Sequence, residues 1–329
     1  MPARILTFSI AIVIGISIFG TQDLPALQEP EHAGARKFAF RYGASVTGLE
    51  PGATARVWVP IAQDNEHQQI EITGVSTPTA MVQNRDATYG NRIGYFEIEV
   101  EESGTFGFRI NYEVHRTEAS SFGAGDALTD EEKENFLAAN ALVPIDGRPV
   151  ELLDGVEVPA DSTTEAGKAL YEVVEQYMTY DKSQAGYGNG DTIWACDSRT
   201  GNCTDFHSVF ISLARSQSIP ARFEIGFPLP PEEASGKIGG YHCWAWFHGD
   251  SGWTPVDISE ADKHPEMKDY YFGSLTADRI SFSTGRDIEL VPETAGGPLN
   301  YFVYPYVEVD GVAVEKENIQ PDFFFENIE

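Results

Sequence analysis

Hydrophobic and polar residues alternate through the first third of the chain. Phe38, Phe40, Tyr42, Ala44 and Val46 stand at every second position, which is the period of a half-buried β-strand. Further runs of strand character follow between Gly- and Pro-containing turns, at Arg56–Val59, Gln69–Ile72, Tyr95–Val100 and Thr105–His115. Strands at this spacing predict a β-sandwich over residues 37–118. We interpret it as a binding or packing module, because its side chains suggest no reaction.

Helical periods appear in the second half of the chain. Residues 119–160 form an irregular connecting segment with one short helix near Thr129. Ser162–Glu165 is a capping box that opens an amphipathic helix, and the spacing of Phe206–Ala214 predicts a second helix. Aromatic-rich strands follow, and Leu299–Tyr304 is expected to close the sheet. Residues 161–329 are therefore predicted to form an α+β domain in which helices pack on an antiparallel sheet.

Cys203 lies at the start of the second predicted helix. Asn202 is a good N-cap and Asp205 can complete a capping box. Because Phe206 on the buried face follows three residues later, the Cys203 side chain points inward. A thiol in this position feels the positive end of the helix dipole, which favours the thiolate. The pattern predicts a reactive cysteine, and a small buried hydrophobic residue is the alternative.

A base and an orienting carboxylate lie on the hairpin that follows. If His248–Ser251 form a four-residue loop, His242 lies directly opposite Asp257. A two-residue loop, Asp250–Ser251, moves Asp257 to the diagonal position but keeps it on the same face, within reach of the imidazole. The alternative is that His242 is a polar residue of the sheet and that Asp257 bonds a turn.

The order of these motifs resembles the transglutaminase-like superfamily, which shares a Cys-His-Asp arrangement with papain-type proteases. The matching segments are Gly201–Cys203 with its helix, Ile219–Arg222, Tyr241–Trp244 and Gly252–Asp257. The resemblance covers roughly residues 160–290. It implies a transglutaminase-like (papain-like) helix-on-antiparallel-sheet domain after the N-terminal β-sandwich. It also implies that Cys203 is the nucleophile, His242 the base and Asp257 the orienting carboxylate, and this chemistry needs no cofactor.

Four further side chains are candidates for the oxyanion site or the cleft: Trp194, Asn202, His207 and Trp244. Trp194 can donate its indole N–H to an oxyanion beside the Cys203 backbone N–H, or can simply pack. His207 is expected to line the cleft or to bond a neighbour. Cys203 and His207 stand at i, i+4, so that a zinc site with His242 is conceivable, but the spacing matches no common zinc module.

The remaining cysteines, Cys196 and Cys243, allow two interpretations. In an exported protein three cysteines leave one unpaired, so a Cys196–Cys243 disulfide with a free Cys203 is one possibility. Strand alternation places Cys243 on the face opposite His242, where such a bridge would not obstruct the site. Two reduced, buried thiols are the alternative.

The net charge of the chain restricts its class of partner, and its N-terminal sequence indicates where the protein is located. The chain carries 51 acidic and 22 basic residues, a formal charge of −29, which excludes nucleic acid as a partner because the surface repels phosphates. The apolar run Ile5–Phe19 follows Arg4 and is shorter than the roughly 18–20 residues that cross a bilayer. Residues 1–20 are predicted to be a signal peptide and 21–36 a linker, with an uncleaved anchor as the alternative. The mature chain is expected to be soluble and periplasmic or extracellular.

These features predict an exported enzyme that cleaves an amide through a thioester on Cys203. The amide can belong to a peptide, an isopeptide or a glutamine side chain, and cell-wall peptide is among the substrates that fit. Hydrolysis is preferred to cross-linking, because a transferase must keep water from its thioester and no closed passage is evident in the sequence. The alternatives are a protein-glutamine transglutaminase and a non-catalytic binding protein that retains the fold.

Overall fold

The computed structural model describes residues 34–120 and 127–328. The predicted signal peptide and nearly all of the predicted linker lie outside these ranges, so both stay predictions. Within the two ranges, no helix combines the length and the apolar character that a membrane crossing requires.

Short helices and many strands make up the described chain. The strands are β1 Ala35–Val46, β2 Thr54–Ile61, β3 Gln68–Ser76, β4 Val82–Arg85, β5 Arg92–Glu99, β6 Phe106–Thr117, β7 Ala119–Ser120, β8 Thr179–Tyr180, β9 Thr200–Gly201, β10 Ala221–Pro228, β11 Ser235–Lys237, β12 His242–Gly249, β13 Gly252–Val256, β14 Ser274–Leu275, β15 Arg279–Thr284, β16 Tyr306–Val309, β17 Val312–Ala313 and β18 Ile319–Asn327. The α-helices are α1 Asp130–Leu137, α2 Thr163–Tyr177, α3 Thr192–Ser198, α4 Cys203–Ser216 and α5 Ile258–Lys263. Three 3₁₀ turns occupy Val150–Leu153, Pro265–Met267 and Lys316–Asn318.

The N-terminal region is a sandwich of two five-stranded sheets. One sheet has the order β11-β18-β1-β6-β3 and the other β17-β16-β2-β5-β4. Strand β6 shows why the sandwich forms, because its buried residues Phe106, Phe108, Ile110, Tyr112 and Val114 alternate with exposed ones. Each sheet therefore turns one apolar face toward the common core.

The C-terminal strands belong to this sandwich, not to the domain that the sequence assigned them to. Strand β18 pairs with β1, with Phe323 opposite Tyr42, and β16 pairs with β2, with Val307 opposite Val57. The predicted closing strand Leu299–Tyr304 does not form. An alternating pattern sets the buried face of a strand but not its partner, and these partners lie at the other end of the chain.

A separate antiparallel sheet of four strands carries the helices. Its order is β13-β12-β10-β15, and α4 packs on it with Phe210 against Phe247, 5.8 Å between ring centroids. Phe227 of β10 and Phe282 of β15 reach the sandwich, where both rings contact Tyr42. The sandwich and the helix-bearing sheet consequently share one continuous core.

The segment between β10 and β12 connects the two sheets at their edge. Strand β11 leaves the four-stranded sheet and pairs with β18, with Gly236 opposite Phe325. Ile238 N–H then donates to Phe323 C=O at 3.0 Å before the chain re-enters the four-stranded sheet at His242. The sandwich thus fixes the segment that leads directly into His242.

Candidate active site

Helix α4 presents Cys203 at its first position. Asn202 is the N-cap, and its side-chain oxygen accepts from Thr204 N–H at 2.8 Å. Asp205 completes the capping box by accepting from Asn202 N–H at 2.9 Å. The N–H groups of a first helical turn have no partner within the helix, so the Cys203 N–H is available to an oxyanion beside its own sulfur. Cys203 is 2% exposed.

His242 and Asp257 meet at the end of the neighbouring hairpin. Gly249 pairs with Gly252 and Ala245 with Val256, the register of the two-residue Asp250–Ser251 turn. Asp257 then lies diagonally across from His242, and its Oδ2 lies 2.7 Å from His242 Nε2. Asp257 also caps α5, since Oδ1 accepts from Glu260 N–H at 3.2 Å. The other ring nitrogen of His242, Nδ1, is left for the Cys203 thiol, with which the ring forms a hydrogen bond.

Arg279 is a member of the site that the sequence analysis missed. Its Nη1 lies 3.0 Å from Asp257 Oδ2, and its guanidinium stacks on Trp244 at 4.8 Å from the ring centroid. Arg279 is 3% exposed, and a buried charge needs a partner. The signal available in the sequence was a charged residue at the head of the alternating segment Arg279–Thr284.

The charges of the triad support one another. Burial alone would lower the pKa of His242, but Asp257 and Cys203 raise it to about 10. Burial would raise the pKa of the Cys203 thiol, but hydrogen bonds from Cys243 and His242 lower it well below its ordinary value. Burial would likewise raise the pKa of Asp257, and His242 and Arg279 lower it strongly. The arrangement therefore favours a Cys203 thiolate beside a His242 imidazolium.

His207 is buried beneath the triad and does not line a cleft. Its Nε2 accepts from Ile258 N–H at 3.1 Å, and its Nδ1 lies 3.7 Å from Cys243 Sγ. Burial lowers the pKa of His207 to about 4, so the ring is neutral and carries its proton on Nδ1. Because the Nε2 lone pair is already used, a zinc site of Cys203, His207 and His242 does not fit this arrangement.

His242, Asp257 and Glu260 lie close enough together for their ligand atoms to share a cation. However, Arg279 already places positive charge 3.0 Å from Asp257, and the other carboxylate oxygen accepts from Ser259 and Glu260. A metal ion would have to stand beside that guanidinium. The donor set therefore suits an ordered triad better than a metal centre.

Of the two interpretations of Cys196 and Cys243, the structure has the reduced one, since all three cysteines are free thiols and buried. Cys196 lies on α3, where its carbonyl accepts from Tyr177. Cys243 instead faces the first turn of α4, 3.7 Å from Thr204 Oγ1. Strand alternation correctly turned Cys243 away from His242, but it could not reveal that α4 covers that face.

The glycine loop before α3 is attached to the nucleophile helix through Asp205. Its carboxylate accepts from Gly188 N–H at 2.7 Å and Gly190 N–H at 2.9 Å. Arg286, a buried residue that the sequence analysis did not identify, adds bonds to the Gly190 carbonyl and to Ser208 Oγ. The loop thereby holds the start of α4, and with it Cys203, in a fixed position.

The other predicted site residues have supporting positions. Asn202 is occupied as a cap, and its amide nitrogen donates to Tyr241 Oη at 3.0 Å. Trp194 on α3 is half-buried over Gly186, so its oxyanion role stays a prediction. Trp244 is fully buried under Arg279, in a cluster with Trp246 and Leu275. Trp244 therefore supports the triad from behind and does not form a wall of the cleft.

A groove of about 550 Å³ opens beside His242. The β11 segment forms one wall with Leu229 and Ile238, and the α5 side contributes Glu260 and Met267. Its charged groups are largely compensated, because Asp278 pairs with Arg36 at 2.6 Å and Glu260 with Lys263. The groove thus offers a partly apolar channel that ends at the imidazole.

Comparisons with known proteins agree with this structure. Residues 151–258 match the model of the transglutaminase-like superfamily. An uncharacterised protein of Haemophilus influenzae is 31% identical over 211 residues, which cover 54% of this chain and 57% of that relative. The chain therefore spans little more than half of the curated relative that it matches.

A crystal structure at 1.9 Å of a candidate cysteine protease from Cytophaga hutchinsonii has the same fold. It superposes with a TM-score of 0.55 at 16% identity and covers 90% of this chain and 99% of that one. At this identity the likeness concerns the fold alone. Together the two matches confirm the family resemblance and the predicted fold class, an α+β chain with an N-terminal β-sandwich and a transglutaminase-like domain.

Proposed function

We propose that the transglutaminase-like domain of this protein is a cysteine amidohydrolase that cleaves a peptide or side-chain amide through a thioester on Cys203. The observation that carries the proposal is the contact of a helix-terminal thiol with an imidazole whose other nitrogen lies 2.7 Å from Asp257. A thiolate nucleophile, a base and an orienting carboxylate are the parts that acyl transfer from an amide requires.

The reaction follows from these positions. The Cys203 thiolate attacks the amide carbonyl, and the developing oxyanion lies near the Cys203 N–H at the positive end of α4. His242 then protonates the departing nitrogen, while Asp257 holds the ring orientation and stabilises its charged form. Water, deprotonated by the now neutral His242, attacks the thioester and releases the acid. Arg279 keeps Asp257 ionised throughout.

The groove supports a peptide as substrate. Because His242 protonates the leaving nitrogen, the amine side of the substrate must lie on the His242 side of the sulfur. The groove of about 550 Å³ opens at that ring and has the volume of a site for a small ligand or a short peptide segment. The description of the fold relative as a candidate cysteine protease is consistent with this substrate class.

Hydrolysis is favoured over transfer to an amine. A transferase needs a passage that excludes water from its thioester. Trp244 and Trp246, the tryptophans on the same strand as His242, are buried behind the triad and line no such passage. The groove that remains is lined in part by exposed charged side chains such as Lys237 and Glu266, which water solvates readily.

We further propose that the protein is exported, on the evidence of the apolar run Ile5–Phe19. Its substrates would then be peptides outside the cytoplasm, cell-wall peptide among them. Cell fractionation with sequencing of the mature N-terminus tests this point. Recovery of a cytoplasmic chain that begins at residue 1 would contradict it.

A peptide library incubated in ¹⁸O-water tests the reaction itself. Cleaved products should carry one ¹⁸O in the new carboxylate, and Cys203→Ala should abolish their formation. Cys196→Ala is the matched control, because Cys196 is equally buried but lies outside the triad. If excess primary amine diverts most product to an amine adduct, the protein is a transferase. If no peptide is cleaved and Cys203 does not react with alkylating probes, it is a binding protein that retains the fold.

A further inference from the structure

Strand β12 places two consecutive side chains against the nucleophile helix. His242 reaches Cys203 at the end of the sheet, and Cys243, on the other face, contacts the first turn of α4. The Cys243 sulfur lies 3.7 Å from Thr204 Oγ1 and 3.7 Å from His207 Nδ1, and the residue is fully buried. Cys203 starts that same turn of α4, and each of the two thiols shifts the pKa of the other. The proposed mechanism gives this second thiol no role.

We propose that Cys243 is a further catalytic residue, whose thiol donates a hydrogen bond to the Cys203 thiolate and so keeps that sulfur ready to attack. The inference rests on the proposed function, because it takes Cys203 as the nucleophile.

The direction of the hydrogen bond follows from His207. Its Nε2 accepts from Ile258 N–H at 3.1 Å, so the neutral ring carries its proton on Nδ1, the nitrogen that faces Cys243 Sγ. His207 Nδ1 therefore cannot accept from Cys243, and the Cys243 S–H is free to donate to another acceptor.

Two acceptors compete for the Cys243 proton. The Thr204 hydroxyl is a neutral acceptor, 3.7 Å from the Cys243 sulfur, that also shares a hydrogen bond with Tyr241 Oη at 2.8 Å. The Cys203 thiolate is charged, and charged acceptors form markedly stronger hydrogen bonds than neutral ones. The thiolate is thus the preferred acceptor, and it receives one donor from His242 and another from Cys243.

The protonation states agree with this assignment. Burial, and then the neighbouring Cys203, raise the pKa of Cys243 well above its ordinary value, so Cys243 remains a thiol while Cys203 is ionised. The other titratable groups whose charges act on the Cys203 sulfur are His242, His207, Asp205, Tyr180, Tyr241, Tyr301 and Tyr304. None of these residues is changed in the experiment below.

The test is the pH dependence of Cys203 alkylation by iodoacetamide in the full chain, followed by mass spectrometry of the Cys203 peptide. Cys243→Ala removes the donor, and Cys243→Val removes it while keeping the site filled. Cys243→Ser retains a hydroxyl donor. We expect the apparent pKa of Cys203 to rise by about one unit or more in the Ala and Val variants. The apparent pKa of Cys203 in the Ser variant should stay closer to that of the wild type. Activity should fall most in the Ala and Val variants and less in the Ser variant.

The outcomes separate this inference from the proposed function. If wild-type Cys203 reacts well below pH 8 and the Ala and Val variants show the same profile, Cys243 is only a packing residue and the inference is wrong. If wild-type Cys203 titrates like an ordinary thiol, this inference and the proposed role of Cys203 as the nucleophile are both wrong. Melting temperatures of all variants show whether a change in reactivity reflects lost structure. If the Ala variant is unstable, the Val variant, which keeps the site filled, is the one that tests the inference.

Discussion

Arg279 and Asp257 form a buried ion pair in which Arg279 Nη1 lies 3.0 Å from Oδ2, the carboxylate oxygen that His242 Nε2 also contacts. The guanidinium and the imidazole therefore share one acceptor. Both residues of the pair are almost completely shielded from water, so removing one charge leaves the other without compensation. The orientation of His242 accordingly depends on a residue that does not touch the reacting atoms.

Arg279→Met should damage both stability and activity. Loss of one partner of a buried pair typically costs about 3–5 kcal/mol, and Asp257 should then protonate more readily. We expect kcat/KM to fall by about ten- to hundred-fold, with the acid limb of its pH profile moved upward. Arg279→Lys is the matched control, because it retains the charge. An unchanged pH profile in Arg279→Met would show that Arg279 serves packing alone.

Asp257→Asn should reduce turnover on the order of 10²–10⁴-fold, because the amide favours the wrong imidazole tautomer. It should also destabilise the fold, since the buried Arg279 loses its charged partner. His242→Ala should abolish turnover. Both follow from the 2.7 Å contact between His242 and Asp257. Steady-state kinetics would measure the loss of turnover in both variants, with circular dichroism as a folding control. A silent Asp257→Asn variant would remove Asp257 from the triad.

The proposed amide cleavage should slow on the alkaline side as His242 deprotonates. Burial opposes the charged ring, yet Asp257 and Cys203 raise the pKa of His242 to about 10. The imidazolium that protonates the leaving nitrogen thus persists through neutral pH and disappears as pH rises through about 10. The measurement is kcat/KM against pH. In Asp257→Asn, which lacks the main supporting charge, the alkaline limb should move to lower pH.

His207 should make the fold sensitive to acid. Burial lowers the pKa of His207 to about 4, against about 6.5 in an unfolded chain. The unfolded state therefore binds more protons between these values, and stability falls as pH drops from about 6.5 to 4, by up to about 1.4 kcal/mol per pH unit. In urea unfolding, the free energy of unfolding of His207→Gln should fall less over this pH range than that of the wild type, because the Gln oxygen can accept from Ile258 N–H without titrating. His264→Gln, on an exposed side chain, should match the wild type.

Gly190→Ala should disturb the glycine loop that holds the start of α4. Gly190 has φ +61°, and an added Cβ would lie 2.5 Å from Ser208 Oγ and 2.7 Å from Arg286 Nη1. Gly155→Ala is the matched control, since it has φ +78° with nothing within 4 Å. Both variants incur the backbone strain, but only Gly190→Ala adds the clash, for which we expect about 1–3 kcal/mol more destabilisation. Equal melting temperatures would contradict this account of the loop.

The predictions that succeeded were those set by nearby residues. The cap at Asn202 and the two-residue turn at Asp250–Ser251 are local, and together they determine where Cys203, His242 and Asp257 stand. Arg279 could not be assigned in the same way, because its position depends on the pairing of β15 with β10, which shifts register between Ile225 and Gly226. The contact of Cys243 with α4 could not be predicted for a related reason, since the identity of the element that covers a strand is a tertiary property.

The pairing of β18 with β1 affects the order in which the parts of the candidate site form during synthesis. Phe38 near the start of the described chain lies opposite Asn327 near its end, and β11 beside the groove is held by β18. During synthesis the groove wall has no partner until β18 emerges from the ribosome, well after Cys203 has emerged. Deleting β18 should therefore impair the binding of a ligand in the groove more than the reactivity of Cys203.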